Sequence, residues 1–143
     1  MKTQLEKSSS KVFYWPIRVY YEDTDCGGIV YHANYVKFFE RGRTEFLREF
    51  GLSQQELMKQ NVAFVVSRMD INFKRAARLD DMLIVSTQIT QVKHASFIFY
   101  QRIEDDNHKI YCEATVKIAS VNPTEMKSQV IPSAILTEIK RVS

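Results

Sequence analysis

Two cysteines, Cys26 and Cys112, are all that 143 residues supply. That count excludes a disulfide framework, and no Cys-x-x-Cys pair or Cys/His spacing marks a zinc site. No stretch nears the roughly 18 consecutive apolar residues that span a bilayer, so a membrane span is not expected. Met1 to Lys11 carries charge and the run Ser8-Ser9-Ser10 but no apolar core. It reads as a flexible tail rather than a signal peptide, and a reducing cytoplasm is the expected compartment. Also missing is a basic block of the kind that tracks nucleic acid, which removes nucleic acid from the expected partners. The net charge of +3 and the pI near 8.8 suit an anionic small ligand instead.

What is present belongs to a globular domain. Hydrophobic residues make up 45% and charged residues 26% of the chain, enough for residues 12–143 to bury one core as a single domain. Val12 to Tyr21 is aromatic and β-branched and reads as a strand, with Pro16 near an edge or bulge. From Ala33 to about Phe50 the period becomes helical. Tyr35, Phe38, Phe39, Gly42, Phe46 and Phe50 line one face, Lys37, Arg41, Thr44 and Arg48 the other, and Gly51 stops the helix. An aromatic stripe of this length calls for a broad partner, most simply a sheet. Ser53 with Glu56 three residues on is a capping-box pattern opening a short second helix to Lys59. Four strands then follow at period two: Met69–Phe73, Leu83–Ile89, Phe97–Ile103 and Ile110–Ile118. A polar turn at Asp105–His108 joins the last two. Asn122-Pro123 ends the sheet, and Pro132 to Arg141 reads as a C-terminal helix. Strand, long helix, then a run of antiparallel strands is an α+β order, one helix laid across one sheet.

The chemistry concentrates in Tyr20-Tyr21-Glu22-Asp23-Thr24-Asp25-Cys26-Gly27-Gly28-Ile29-Val30-Tyr31-His32-Ala33-Asn34-Tyr35. Three carboxylates, two glycines and a histidine lead into the long helix, where free backbone N–H groups favour developing negative charge. Such a turn is the raw material of a hydrolytic site. Taken alone, Asp25 is either a catalytic carboxylate or one more turn carboxylate, and Glu22 and Asp23 are turn or capping groups. Gly27 and Gly28 either let the backbone approach a ligand closely or only shape the turn. Asn34 either hydrogen-bonds near the helix start or caps it. Arg43 lies inside the apolar arc, which points to a buried ion pair or a stem that snorkels outward. Arg68, Lys74, Arg75 and Arg78 are cations suited to the phosphates of a nucleotide-bearing ligand, or simply solvated. Cys26 has no base partner in sight, so a thiol nucleophile is rejected.

The segment Arg18–Tyr35 resembles the signature of hot-dog-fold acyl-CoA thioesterases of the 4-hydroxybenzoyl-CoA thioesterase class, in the branch associated with the Tol-Pal envelope system. Phe38–Glu45, Val62–Val66 and Ala77–Asp81 extend the likeness, which runs from about Trp15 to Pro132. The resemblance implies a five-stranded antiparallel sheet wrapped around a long central helix, and a homodimer or homotetramer whose sheets join edge to edge, with active sites at the dimer interface. It assigns Asp25 as catalytic carboxylate, either nucleophile or general base. His32 becomes the residue whose backbone N–H polarises the thioester carbonyl, and Tyr21 a pocket residue. Gly27, Gly28, Asn34, Arg75 and Arg78 are then the expected substrate-binding positions, the two arginines for coenzyme A. The implied reaction takes acyl-CoA and water to free acid and coenzyme A, with no metal or cofactor. The alternative is a non-hydrolytic module binding acyl-CoA or acyl carrier protein. A hot-dog hydratase would want a His/Asp pair placed differently on the helix.

Overall fold

The computed structural model describes residues 11–143, so the expected tail at Met1–Lys11 lies, but for its last residue, outside the described residues. In chain order the elements are β1 (Phe13–Arg18), α1 (His32–Glu49), α2 (Gln54–Lys59), β2 (Ala63–Phe73), β3 (Met82–Val92), β4 (Ser96–Glu104), β5 (Ile110–Asn122), β6 (Lys127–Ser128) and α3 (Ser133–Val142). A single 3-10 turn, Tyr21–Asp23, lies between β1 and α1. The strands form one antiparallel sheet in the order β1-β3-β4-β5-β2, with the two-residue β6 added to β5. The fold is the expected hot-dog: five long strands curled around one helix.

The aromatic stripe does what its spacing requires. Phe38, Phe39 and Phe46 are wholly buried and meet Val85, Phe97 and Phe99 of the sheet. Gly42 is the point of closest approach: a Cβ there would lie 2.6 Å from Val85 Cγ1 and 3.0 Å from Thr87 Oγ1. Real Cβ atoms do not approach that closely, so the helix lies this deep because position 42 has no side chain. Ser53 caps α2 as its sequence pattern predicts, its Oγ accepting from the Glu56 N–H.

Several boundaries differ from expectation, among them the following. The first strand stops at Arg18, and Tyr21 belongs to the 3-10 turn instead. β2 starts at Ala63 rather than Met69, because a register shift between Val66 and Arg68 breaks the alternation that marks a strand. The sheet continues past Asn122-Pro123, since Met126, at φ 57°, folds the chain back to pair Lys127 and Ser128 with β5. The two outer long strands are β1 and β2. Pro16 sits in β1, an edge strand, where a missing N–H is tolerated. β2 runs for 11 residues with its outer side unpaired among the described residues and leaves Val66 and Phe73 exposed.

Candidate active site

The loop between the 3-10 turn and α1 is a miniature hairpin. Thr24 and Val30 bridge, the Asp25 N–H donates to the Ile29 carbonyl at 2.9 Å, and the Gly28 N–H donates to the Asp25 carbonyl at 3.0 Å. Gly28 sits at φ +80°, which an L side chain would resist. The Gly27 N–H donates to Asp25 Oδ1 at 2.9 Å. Both glycines therefore shape the turn, and Gly27 also holds one oxygen of Asp25. The other oxygen of Asp25 has no hydrogen-bond partner among the described residues, and the side chain is exposed.

Asp23 is a different kind of carboxylate. It is buried, with Oδ1 accepting from Asn34 Nδ2 at 2.9 Å and Oδ2 from the Tyr20 N–H at 2.8 Å. Its carbonyl also accepts from the Tyr31 N–H at 2.9 Å. The first turn of α1 is thus tied to the loop that carries Asp25. Asn34, expected at the substrate, is buried in this brace, its side-chain amide bonded to Asp23. Above it, the N–H groups of His32 and Ala33 open α1 with no acceptor among the described residues, and no side chain caps the helix.

A second loop completes the site. Ile29 bridges Arg78, and the Val30 N–H donates to the Ala77 carbonyl, so residues 75–81 are packed beside the Asp25 hairpin. The buried Tyr35 hydroxyl accepts from the Ala77 N–H at 3.0 Å, and burial pushes its pKa above the usual phenol value. Between the two loops lies a groove of about 300 Å³ bordered by His32, Tyr35, Phe73, Lys74, Arg75 and Ala76. The His32 ring rests against Tyr31 (centroids 4.6 Å) and meets Phe73 edge-on (6.3 Å), with no hydrogen bond to Asp25. Arg75 lies over the Tyr111 ring at 5.8 Å, and Arg78 has no ion-pair partner among the described residues. Arg68 instead bridges Asp70 at 3.2 Å farther along β2, and Lys74 faces Glu113 at 3.6 Å. Tyr21 is 83% exposed, and its ring has no partner among the described residues.

Sequence reasoning missed Phe73 and Ala76 and read Tyr35 only as core. Their signal was weak, because the pairing of residues 29–30 with 77–78 spans nearly 50 positions and leaves no local pattern. Cys26 is exposed, and burial pushes the Cys112 thiol up to about 12.

A carboxylate on a loop tied to a helix start whose N–H groups have no acceptor among the described residues, with an arginine-edged groove at that helix start, is suited to cleaving an acyl bond of an anionic ligand. The chain is similar to the acyl-CoA thioester hydrolase YbgC of Escherichia coli, with 48% identity over 133 residues, covering 93% of this chain and 99% of that protein. It is likewise 48% identical over 124 residues to the acyl-CoA thioesterase YbgC of Haemophilus influenzae, covering 86% and 90%. Among solved structures, a probable thioesterase from Bartonella henselae superposes with a TM-score of 0.80 at 39% identity, covering 85% of this chain and 99% of the other. Residues 27–112, from the Asp25 hairpin through the groove into β5, match the Thioesterase superfamily, and the chain belongs to that family.

Proposed function

We propose that the protein hydrolyses acyl-CoA thioesters to a free acid and coenzyme A, with Asp25 as the catalytic carboxylate. The carrying observation is that, among the described residues, Asp25 has one oxygen fixed by Gly27 and the other unpartnered, on a loop tied to a helix start whose first N–H groups are also unpartnered. The thioester carbonyl sits against the His32 N–H, where negative charge develops on its oxygen in the tetrahedral intermediate. One such donor is worth about 3 kcal/mol of transition-state stabilisation. The free oxygen of Asp25 either attacks the carbonyl carbon or takes a proton from the attacking water. In the first route the C–S bond breaks as a mixed anhydride with Asp25 forms, coenzyme A leaves as thiolate, and water hydrolyses the anhydride to the free acid and the restored carboxylate. In the second, water adds to the carbonyl carbon and the proton taken by Asp25 passes to the sulfur as the C–S bond breaks. Label in the Asp25 carboxylate after single turnover in water of heavy oxygen identifies direct attack, since only hydrolysis of the anhydride at its Asp25 carbonyl places it there.

Arg75 and Arg78, on the loop beside the groove, hold the coenzyme A phosphates. Reversing both to Glu raises KM more than it lowers kcat, because phosphate contacts act alike in ground and transition states. An unchanged KM would move the nucleotide elsewhere. The long, unpaired outer side of β2 pairs with a second copy, which also shields Phe73 and closes the groove. A dimer or tetramer in sedimentation is the expected outcome, and an active monomer overturns the shared site. The protein acts in the cytoplasm and serves the Tol-Pal envelope system, a link that rests on the likeness of the Arg18–Tyr35 segment to that branch. Acyl carrier protein is a second donor of the acyl group, carrying the same phosphopantetheine thioester. Thiol release across acyl-CoAs from acetyl to palmitoyl, with one aryl-CoA, tests the assignment. Binding without release would replace the enzyme by a non-hydrolytic acyl-binding module.

A further inference from the structure

Arg43 lies in the middle of α1, only 8% exposed, among the aromatic side chains of the core. Its Nη1 donates to Gln101 Oε1 at 3.0 Å, and that is its one protein hydrogen bond among the described residues. Gln101 has nothing more to offer, since its Nε2 is committed to the Phe39 carbonyl and Thr87 Oγ1, each at 2.9 Å. No carboxylate forms an ion pair with Arg43 among the described residues, so the expected ion pair is replaced by a neutral amide. Burial lowers the pKa of the guanidinium, and the nearby charge of Glu40 works against that shift. Yet no Arg43 nitrogen is among the described side-chain atoms that are sealed from solvent without a hydrogen bond. The remaining donors open into a cavity of about 110 Å³ between α1 and the sheet. Glu40, Thr44 and Gln54 also line it, and the rest of its wall is apolar, chiefly Phe64, Phe97 and Phe99. A position needed only for packing would carry Met or Leu. A guanidinium that spends one donor on Gln101 and lines a part-aromatic cavity with the rest can take a further acceptor there, in reach of the Glu40 charge.

The cavity lies in line with the active site. His32, Val36, Glu40 and Thr44 succeed one another at i, i+4 on α1, and Arg43 flanks the last of them, so they form one stripe. Val36 is 38% exposed, an apolar step on that stripe between the helix start and the cavity. Eleven residues at the helical rise separate His32 from Arg43 by about 16 Å, and an arginine side chain leans back toward the helix N-terminus. An acyl group whose carbonyl rests at the His32 N–H therefore runs along the stripe and brings its far half to Arg43.

We propose that the cavity selects acyl groups carrying a neutral oxygen, hydroxyl or oxo, in the half distal to the thioester, with Arg43 donating to that oxygen and Glu40 turning away a free carboxylate. The proposal rests on the thioesterase reading and names its substrate class. The test compares kcat/KM for pairs of medium-chain acyl-CoAs of equal length, one plain and one with a hydroxyl or oxo group near its end. The native protein is expected to favour the oxygenated member by about tenfold or more, because a site built to donate a hydrogen bond rejects the analogue that lacks its acceptor. Arg43→Met, similar in volume, should bring the ratio close to one. Glu40→Gln is exposed and carries little folding risk. It should raise turnover of the ω-carboxyl acyl-CoA relative to the plain chain by about tenfold, as expected when a like charge is removed from beside the ligand. A native preference for the plain chain, or ratios unmoved by both variants, overturns the proposal. Acetyl-CoA, too short to reach Arg43, reports on the thioesterase reading by itself. If no thioester is cleaved at all, that reading fails, and calorimetric binding of the non-hydrolysable thioether pair still decides the cavity: equal Kd values overturn it.

Discussion

The two halves of α1 are fixed to the rest of the molecule by opposite means. Its first turn is held by polar contacts to a loop: the Asp23 carboxylate joins Asn34 to the Tyr20 N–H, and the Asp23 carbonyl takes the Tyr31 N–H. Its middle is held by shape, with Gly42 against Val85 and Thr87 and aromatic rings on both sides. Among the described residues the polar end leaves N–H groups and one Asp25 oxygen without partners, as the proposed hydrolysis requires. The packed end leaves almost nothing free, Arg43 being the exception. One helix is thus a scaffold along its length and, in the proposed reaction, an electrostatic device at its start.

If that division is right, substitutions at the start change rates and substitutions in the middle change stability. The largest effect is expected from Asp25→Asn. The amide keeps the shape and the bond to the Gly27 N–H but neither attacks a thioester nor accepts a proton from water. Thiol release should fall by about a thousandfold or more with the melting temperature nearly unchanged, as for loss of a general base or nucleophile on an exposed turn. Near-normal turnover would return Asp25 to the turn carboxylates. Gly42→Val should do the reverse. Overpacking against Val85 and Thr87 costs about 1–3 kcal/mol, with the β-branched side chain adding a helix penalty of a few tenths. Chemical denaturation measures it. A loss of activity without loss of stability would show that the middle of α1 does more than pack.

How legible this division was differs by region. The aromatic stripe declared the packed half outright, because a core face repeats at the helical period and Tyr35 to Phe50 follow it. The strands were equally plain wherever one face is buried. β2 was truncated in the reading because the shift at Val66/Arg68 moves the alternation by one residue, and a period-two argument cannot step over a bulge. The polar half was legible as residue types and through family resemblance, but not as contacts. Nothing in the sequence says that Asp23 rather than Asp25 turns inward, since both occupy the same kind of local sequence. Only the assembled loop shows Asp23 bonded to a side chain 11 positions on. The approach of residues 77–78 to 29–30 is a tertiary pairing with no local trace, so the groove could not be assembled from the sequence.

The two smaller effects sharpen the comparison within the polar end itself. Asn34→Ala removes the donor that satisfies a buried carboxylate oxygen, leaving it unpaired at a cost of about 1–3 kcal/mol. Because the same carboxylate anchors the Asp25 loop, kcat should fall with stability, and Asn34→Asp should fare no better, since it sets two carboxylates face to face. An intact kcat in Asn34→Ala would mean that the hairpin keeps its shape without the brace.

The smallest effect is expected from His32→Ala. The ring touches Tyr31 and Phe73 and makes no hydrogen bond among the described residues, whereas the proposed donor to the thioester oxygen is the backbone N–H, which alanine keeps. Alanine is also the better helix former, by roughly half a kcal/mol at an exposed position, so the first turn of α1 is retained. Turnover should therefore drop only several-fold, mostly in KM, as apolar contact along the groove is lost. The same comparison with His32→Pro is the stringent one. Proline is well accepted at the first position of a helix, so the fold survives, but it deletes the N–H itself. If the backbone donor carries the charge, His32→Pro should lose about a hundredfold or more in kcat where His32→Ala loses little. Equal losses in the two variants would give the role to the imidazole ring, and the start of α1 would then act through a side chain rather than through its backbone.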